Sequence, residues 1–305
     1  MSNATIAHVE QVLTYLNENG ETETLAHYGI TAETLRRYER KRKFWETKQP
    51  KVLLFDLETS PIPAFVWGTN KQFVPHNALQ GESFLLCWSA KWLFDSKIMT
   101  DVLTPEEAIN KDDKRIIQSL WHWINSADVI IAHNGKKFDI PYFNTRCVRN
   151  KIAPPSPYQV IDTYEVARKR FRNASNKLDY LASLTSGNGK LKTDFDLWIK
   201  CMNGDSKSLL YMQKYNKVDV VILEDYYCEV RPFIVSHPNM AIYQESIEPT
   251  CPTCGSTNID ECGHYSTSVN RYLAFRCKDC GSICRSRKVD TPLKCKSGIM
   301  MPAAR

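Results

Sequence analysis

Two groups of residues in this 305-residue chain have the types and spacing to do chemistry. The first is acidic. Asp56 and Glu58 stand one residue apart at the end of the apolar run Val52-Leu53-Leu54-Phe55, and the period-2 alternation of an extended strand sends both carboxylates to the same side. A pair of this kind is common and says little alone; its weight comes from company. Asp139 follows the polar turn His133-Asn134-Gly135 and either shares the pair's chemistry or only favours a helix N-terminus. Asp219 lies among Val218, Val220, Val221 and Ile222, a poor place for a carboxylate without a partner unless the helix exposes it.

The second group is sulfur. Cys251-Pro252-Thr253-Cys254-Gly255 and Cys277-Lys278-Asp279-Cys280-Gly281 are two C-x2-C knuckles separated by 22 residues. Each knuckle offers two thiolates from one tight turn eased by its following glycine, and four thiolates suit tetrahedral zinc with no position left open for catalysis. We therefore expect one structural Zn2+ on Cys251, Cys254, Cys277 and Cys280 in a zinc ribbon, with Tyr265–Val269 and Tyr272–Arg276 as its strands. The spacing is slightly longer than usual, and Cys262, His264 and Cys284 compete for ligand places. Disulfides are the alternative, disfavoured in a reducing cytosol.

The elements that must position these groups follow from composition shifts. Thr47-Lys48-Gln49-Pro50 separates a helical start from the first apolar strand, and the stretch from Ser236 to Pro249 separates a long helix from the cysteine-rich end. The expected modules are residues 1–49, 50–245 and 249–287, followed by a basic tail over 288–305. In the first, helices over Ile6–Leu16, Thr22–Tyr28 and Thr31–Trp45, with a tight turn at Gly29, resemble a helix-turn-helix; its base-rich run from Arg36 to Lys43 either meets nucleic-acid phosphates or is a solvated face of a docking element. In the second, strands are expected at Val52–Leu57, Phe84–Trp88, Ile98–Val102, Asp128–Ala132 and Val160–Asp162. Helices are expected over Asp112–Asn125 and Phe138–Arg149 and from there to about Val230, the pattern of an α/β domain with a mixed sheet.

Charge divides the same way. Lys and Arg against Asp and Glu number seven and seven over residues 1–50, 24 and 23 over 51–248, and nine and four over 249–305, so the net +6 is almost all C-terminal. Bases interleaved with Tyr272 and Phe275 suit a strand-binding surface, although those rings also fill a ribbon's small core. No apolar run approaches the ~18–20 residues of a membrane span, and Met1–Glu10 lacks a signal-peptide profile, so a cytoplasmic protein, of a bacterium or a phage-infected cell, is expected.

The strings Phe55-Asp56-Leu57-Glu58-Thr59, His133-Asn134-Gly135 with Phe138-Asp139, and Tyr215-Asn216-Lys217-Val218-Asp219 resemble, in order and spacing, the three exonuclease motifs of the DEDD superfamily of 3′–5′ exonucleases. The resemblance spans the middle segment and implies a ribonuclease-H-like fold. Tyr215, where other members carry histidine, resembles the tyrosine subclass. Ile161-Asp162-Thr163 and the run from Asn176 to Leu181 also resemble this superfamily.

The resemblance implies that Asp56, Glu58, Asp139 and Asp219 hold two Mg2+ or Mn2+ ions, hard cations that favour carboxylate oxygen, with Tyr215 orienting the attacking water. Thr59, Asn134 and Trp67 are the candidate substrate contacts, Trp67 by stacking on a base unless it packs in the core. The expected activity is removal of nucleotides from the 3′ end of single-stranded DNA, with RNA as the other substrate and a separate DNA polymerase or replication protein as a partner. An exoribonuclease or endonuclease on the same fold, and a non-catalytic nucleic-acid-binding regulator, are the rivals.

Overall fold

The computed structural model describes residues 6–46, 50–185, 191, 193–244, 248–292 and 298–300. Of the expected basic residues, Lys294 and Lys296 lie outside the described residues, as do the side chains from Arg40 to Lys43. The chain divides into two compact units, one of residues 51–227 and one of residues 1–50 with 228–305. Among the described residues, no helix is long and apolar enough to cross a membrane.

Three helices open the chain: α1 (Ile6–Asn19), α2 (Glu21–Tyr28) and α3 (Ala32–Glu46). Helical spacing puts Val9, Val12 and Leu13 on one face of α1, where they are buried with Leu35 and Tyr38 of α3. Gly29 ends α2 in the left-handed conformation at φ 61°, open to glycine without strain, and the Thr31 hydroxyl accepts the Thr34 N–H at 3.1 Å to start α3.

The 51–227 unit is a five-stranded mixed sheet flanked by helices. Its elements are β1 (Val52–Thr59), β2 (Leu85–Trp92), β3 (Ile98–Val102), α4 (Pro105–Asn110), α5 (Lys114–Asn125), β4 (Val129–Ala132), α6 (Asp139–Arg149), β5 (Gln159–Asp162), α7 (Thr163–Arg170), α8 (Leu178–Thr185), α9 (Phe195–Met202) and α10 (Ser206–Val230). The strand order is β3-β2-β1-β4-β5, with β1, β2 and β3 antiparallel in succession and β4 and β5 parallel to β1. This is the ribonuclease-H-like α/β arrangement expected from the sequence. β1 is central and buried on both faces until its last residues, where Asp56, Glu58 and Thr59 become partly accessible.

Two boundaries differ from expectation for a visible reason. β2 runs to Trp92 rather than Trp88 because β1 and β3 pair with it on both sides, and that pairing overrides the weak strand preference of Ser89-Ala90-Lys91. Lys91 is thereby buried, and its ammonium forms an ion pair with Glu224 of α10. Glu224 also accepts the Phe94 N–H at 2.7 Å, so α10 is fastened to the sheet by a buried charge pair whose halves would be costly to separate.

The cysteine-rich end forms a second sheet of β6 (Ile259–Ser266), β7 (Arg271–Cys277) and β8 (Ile283–Arg285), paired antiparallel in that order. The first ribbon strand ends at Ser266 rather than extending through Val269, because Thr267 and Asn270 close the reversal with a 2.8 Å backbone hydrogen bond.

Candidate functional site

β1 brings Asp56 and Glu58 to the end of the sheet beside β4, and α10 brings Asp219 to them; carboxylate oxygens of the three lie within 4.8 Å of one another. They line an open cavity of about 740 Å³ with His133, Asn134, Phe138, Asp139, Tyr164, Asn176, Tyr215 and others. The five residues expected to carry the chemistry are thus in one cavity, along with Asn134. Thr59 sits past a bulge in β1 opposite Leu85, and Trp67 is fully exposed between β1 and β2; neither lines the cavity.

Asp139 stands apart from the cluster of three. Its carboxylate is buried and takes a backbone hydrogen bond from Leu57, the residue between Asp56 and Glu58. Burial, with a smaller contribution from the Asp162 charge, pushes its carboxyl up to about 7. Below about pH 4 the folded and unfolded chains both hold this proton; between pH 4 and 7 only the fold holds it; above 7 the fold bears a buried charge. The contribution to stability therefore falls as pH rises through that window. In the presence of a chelator, Asp139→Asn is expected to raise the unfolding temperature at pH 8 by roughly 5–10 °C and to lose that advantage near pH 4. Thermal unfolding at the two pH values measures it.

The turn that delivers Asp139 is built from Asn134 and Gly135. Asn134 has a φ of 67°, a left-handed conformation that asparagine tolerates better than most residues. Gly135 is required by contact: a Cβ there would lie 2.4 Å from the Cβ of Ala132. Asp162 at the end of β5 holds the turn, accepting the N–H groups of Asn134 at 3.0 Å and Lys136 at 3.1 Å while also capping α7 through Tyr164 and Glu165. The His133 ring bridges the Thr163 hydroxyl and the Asn176 carbonyl, both at 2.9 Å, and so joins the end of β4 to the far wall of the cavity.

On α10, Tyr215 packs edge-on against Trp198 of α9, with ring centres 6.5 Å apart. The next residue, Asn216, is fully buried and donates from Nδ2 to Oδ2 of Asp56 at 2.7 Å. Sequence reasoning passed over Asn216, because nothing local links it to a carboxylate 160 residues away. Its bond fixes one Asp56 oxygen and leaves the rotation of that carboxylate little freedom. Asn216→Ala is expected to weaken Mn2+ binding at the acidic cluster about 10–100-fold, and cation titration of the two proteins measures it.

In the ribbon the four knuckle cysteines converge, their sulfur atoms also within 4.8 Å of one another. Cys251 and Cys280 are 3.7 Å apart at sulfur, Cys254 and Cys277 3.5 Å. A tetrahedron of Zn–S bonds at 2.3 Å has edges of about 3.8 Å, whereas a disulfide would bring two sulfurs to about 2.0 Å. The set is compatible with a zinc ribbon, and Cys262 and Cys284 are outside it. The acidic set likewise offers hard oxygen ligands from β1 and α10, the donor chemistry that Mg2+ or Mn2+ takes.

Residues 95–229 match the model of the RNase_H_2 family of the RNase_H superfamily. The match takes in Asp139, Tyr215 and Asp219 and begins after β1. Among curated proteins nothing matches the chain. Among solved structures, the family B DNA polymerase from the hyperthermophilic archaeon Pyrobaculum calidifontis matches at 16% identity and a TM-score of 0.46, over 60% of this chain and 25% of the polymerase chain. The chain therefore spans about a quarter of the length of that polymerase chain.

Proposed function

We propose that the chain is a metal-dependent 3′–5′ exonuclease that removes nucleotides from single-stranded DNA. The observation that carries this reading is the convergence of Asp56, Glu58 and Asp219 in a cavity also lined by Asp139 and Tyr215. Three carboxylates at such close quarters repel one another, and a protein keeps such a cluster at low cost only if cations neutralise it. Asp56, Glu58 and Asp219, with Asp139 behind them, would hold two Mg2+ or Mn2+ ions, which when bound supply Lewis acidity at the scissile phosphate and lower the pKa of water.

The chain's own residues do the rest. Asn216 keeps Asp56 in one orientation, Trp198 steadies Tyr215, and the Tyr215 hydroxyl holds the attacking water toward the phosphorus. A neutral phenol is a poor proton acceptor, so its role is to orient that water rather than deprotonate it. Asn134, on its left-handed turn at the cavity wall, would meet the metal-bound water or the terminal sugar.

The four-cysteine set would hold one structural Zn2+, which supplies folding free energy to the ribbon. Exposed Arg271, Arg276, Lys278 and Arg287 on the ribbon, and Arg36 on α3, give both ends positive charge suited to the phosphate backbone.

The test is hydrolysis of single-stranded DNA, duplex DNA and RNA of one sequence, each 5′-labelled, in Mg2+ or Mn2+ and in chelator. Metal-dependent shortening of the DNA single strand, faster than of the other two, is expected. Preferential loss of RNA would reassign the substrate, and no metal-dependent product from any polymer would overturn the nuclease reading.

A further inference from the structure

Between β1 and β2 the chain makes an arm that neither the sheet nor the acidic cavity explains. Its stem is short and ordered by backbone bonds. Ala64 bridges Leu79 antiparallel, Phe65 donates to the Ala78 carbonyl at 2.9 Å, and Gln80 donates to the Pro63 carbonyl at 2.8 Å. Beyond the stem, apolar side chains face solvent: Phe65 is 73% exposed, Phe73 88%, and Trp67 completely so, with Val66 half-exposed beside them. Burying such rings would each contribute about 1.5–3 kcal/mol, so a fold that leaves three of them bare within nine residues forgoes a large stabilisation.

The composition of the arm narrows what could cover it. From Thr59 to Gly81 there is no Asp or Glu, in a chain with 34 of them, and the charged or titratable side chains are Lys71 and His76. A segment of bare rings with no acid of its own and one lysine fits a polyanion with flat apolar faces, which is what unpaired bases on a phosphate backbone present.

The root of the arm is coupled to the cavity. Ser60 donates its N–H to the Phe84 carbonyl at 2.9 Å, and Ser83 donates its hydroxyl to the Ser60 carbonyl at 2.6 Å. Ser83 also lies 2.9 Å from the Tyr142 hydroxyl on α6, and the Tyr142 ring stacks on Phe138 with centres 5.9 Å apart. Phe138 is itself partly exposed and lines the acidic cavity. Aromatic rings thus run from the wall of the cavity to the root of an aromatic arm, a continuity that a protein-docking loop would not need.

We infer that residues 61–80 form a base-stacking arm that holds single-stranded nucleic acid behind the terminal nucleotide, with Phe65, Trp67 and Phe73 as its platform and Phe138 as the ring nearest the acids. The inference rests on the nuclease reading and adds where the rest of the strand lies. The expected signature is a dependence on strand length. Wild type should bind oligothymidylate of 12 nucleotides much more tightly than of three, measured in Ca2+ by fluorescence anisotropy.

Trp67→Ala and Phe73→Ala should each weaken binding of the 12-mer about 5- to 100-fold, the range of one lost stack, and leave the far-UV circular dichroism and unfolding temperature as in wild type. Trp67→Phe should retain most of the affinity while losing most of the tryptophan quenching that the 12-mer causes in wild type. Equal affinities of wild type and both alanine variants for the 12-mer would overturn the arm and leave its rings to a protein contact. Failure of wild type to bind or cut any strand would instead overturn the nuclease reading, so the two failures are told apart.

Discussion

Asp56→Ala is expected to reduce metal-dependent hydrolysis of single-stranded DNA at least about 10³-fold, a loss of ~4 kcal/mol of transition-state stabilisation, without unfolding the protein. Asp56 shares the three-acid cluster with Glu58 and Asp219 and takes the hydrogen bond from buried Asn216. Removing it would take one carboxylate from the proposed cation site and leave the Asn216 Nδ2 without its Asp56 partner. It also removes one of three mutually repelling charges, so thermal stability in chelator should stay level or rise, and activity and stability should separate in the same preparation. Circular dichroism melting beside the rate assay measures both. A variant that loses activity only because it unfolds would not support a role in the chemistry.

The second large effect belongs to the ribbon. Cys277→Ser is expected to drop bound zinc from one per chain to well below one and to expose residues 250–290 to proteases that spare them in wild type. The reason is what fills the ribbon's interior among the described residues. Its buried cluster consists of Cys251, Cys277 and Cys280 with Cys254 and Ile259 packed against it, so the thiols proposed to hold zinc make up most of that cluster. Segments under ~40 residues rarely fold on apolar burial alone, and a structural zinc contributes about 10–16 kcal/mol in isolated finger peptides. Elemental analysis and limited proteolysis check it. A Cys277→Ser protein with full protease resistance over this segment would show that the β6-β7-β8 sheet stands without the metal.

The parts of this molecule legible in its sequence are those set by local pattern. β3 runs from Ile98 to Val102 and α5 ends at Asn125 as periodicity predicts, and both knuckles declare themselves by spacing. Asp56, Glu58, Asp139, Tyr215 and Asp219 could be named because their short strings resemble known motifs, and the fold brings all five to one cavity.

What stayed hidden depends on contacts made across the chain. The Asn216–Asp56 bond joins positions 160 residues apart. The role of Asp162 as the clamp on the Asn134 turn arises only when β5 lies beside β4. Lys91 looks like an exposed lysine until pairing on both edges of β2 buries it against Glu224. Trp67 carries the opposite lesson: a tryptophan in an apolar string reads equally as core or contact, and only the fold shows it fully exposed and outside the cavity.

The most direct test of the central claim compares two single-stranded DNA substrates of identical sequence, one linear with a 5′ label and a free 3′ hydroxyl, the other covalently closed into a circle. In Mg2+ or Mn2+ the linear strand should give a ladder that shortens from its 3′ end and keeps the label, the circle should remain intact, and Asp56→Ala should leave both untouched. Cutting of the circle, or early release of the label as a mononucleotide, would contradict a 3′–5′ exonuclease.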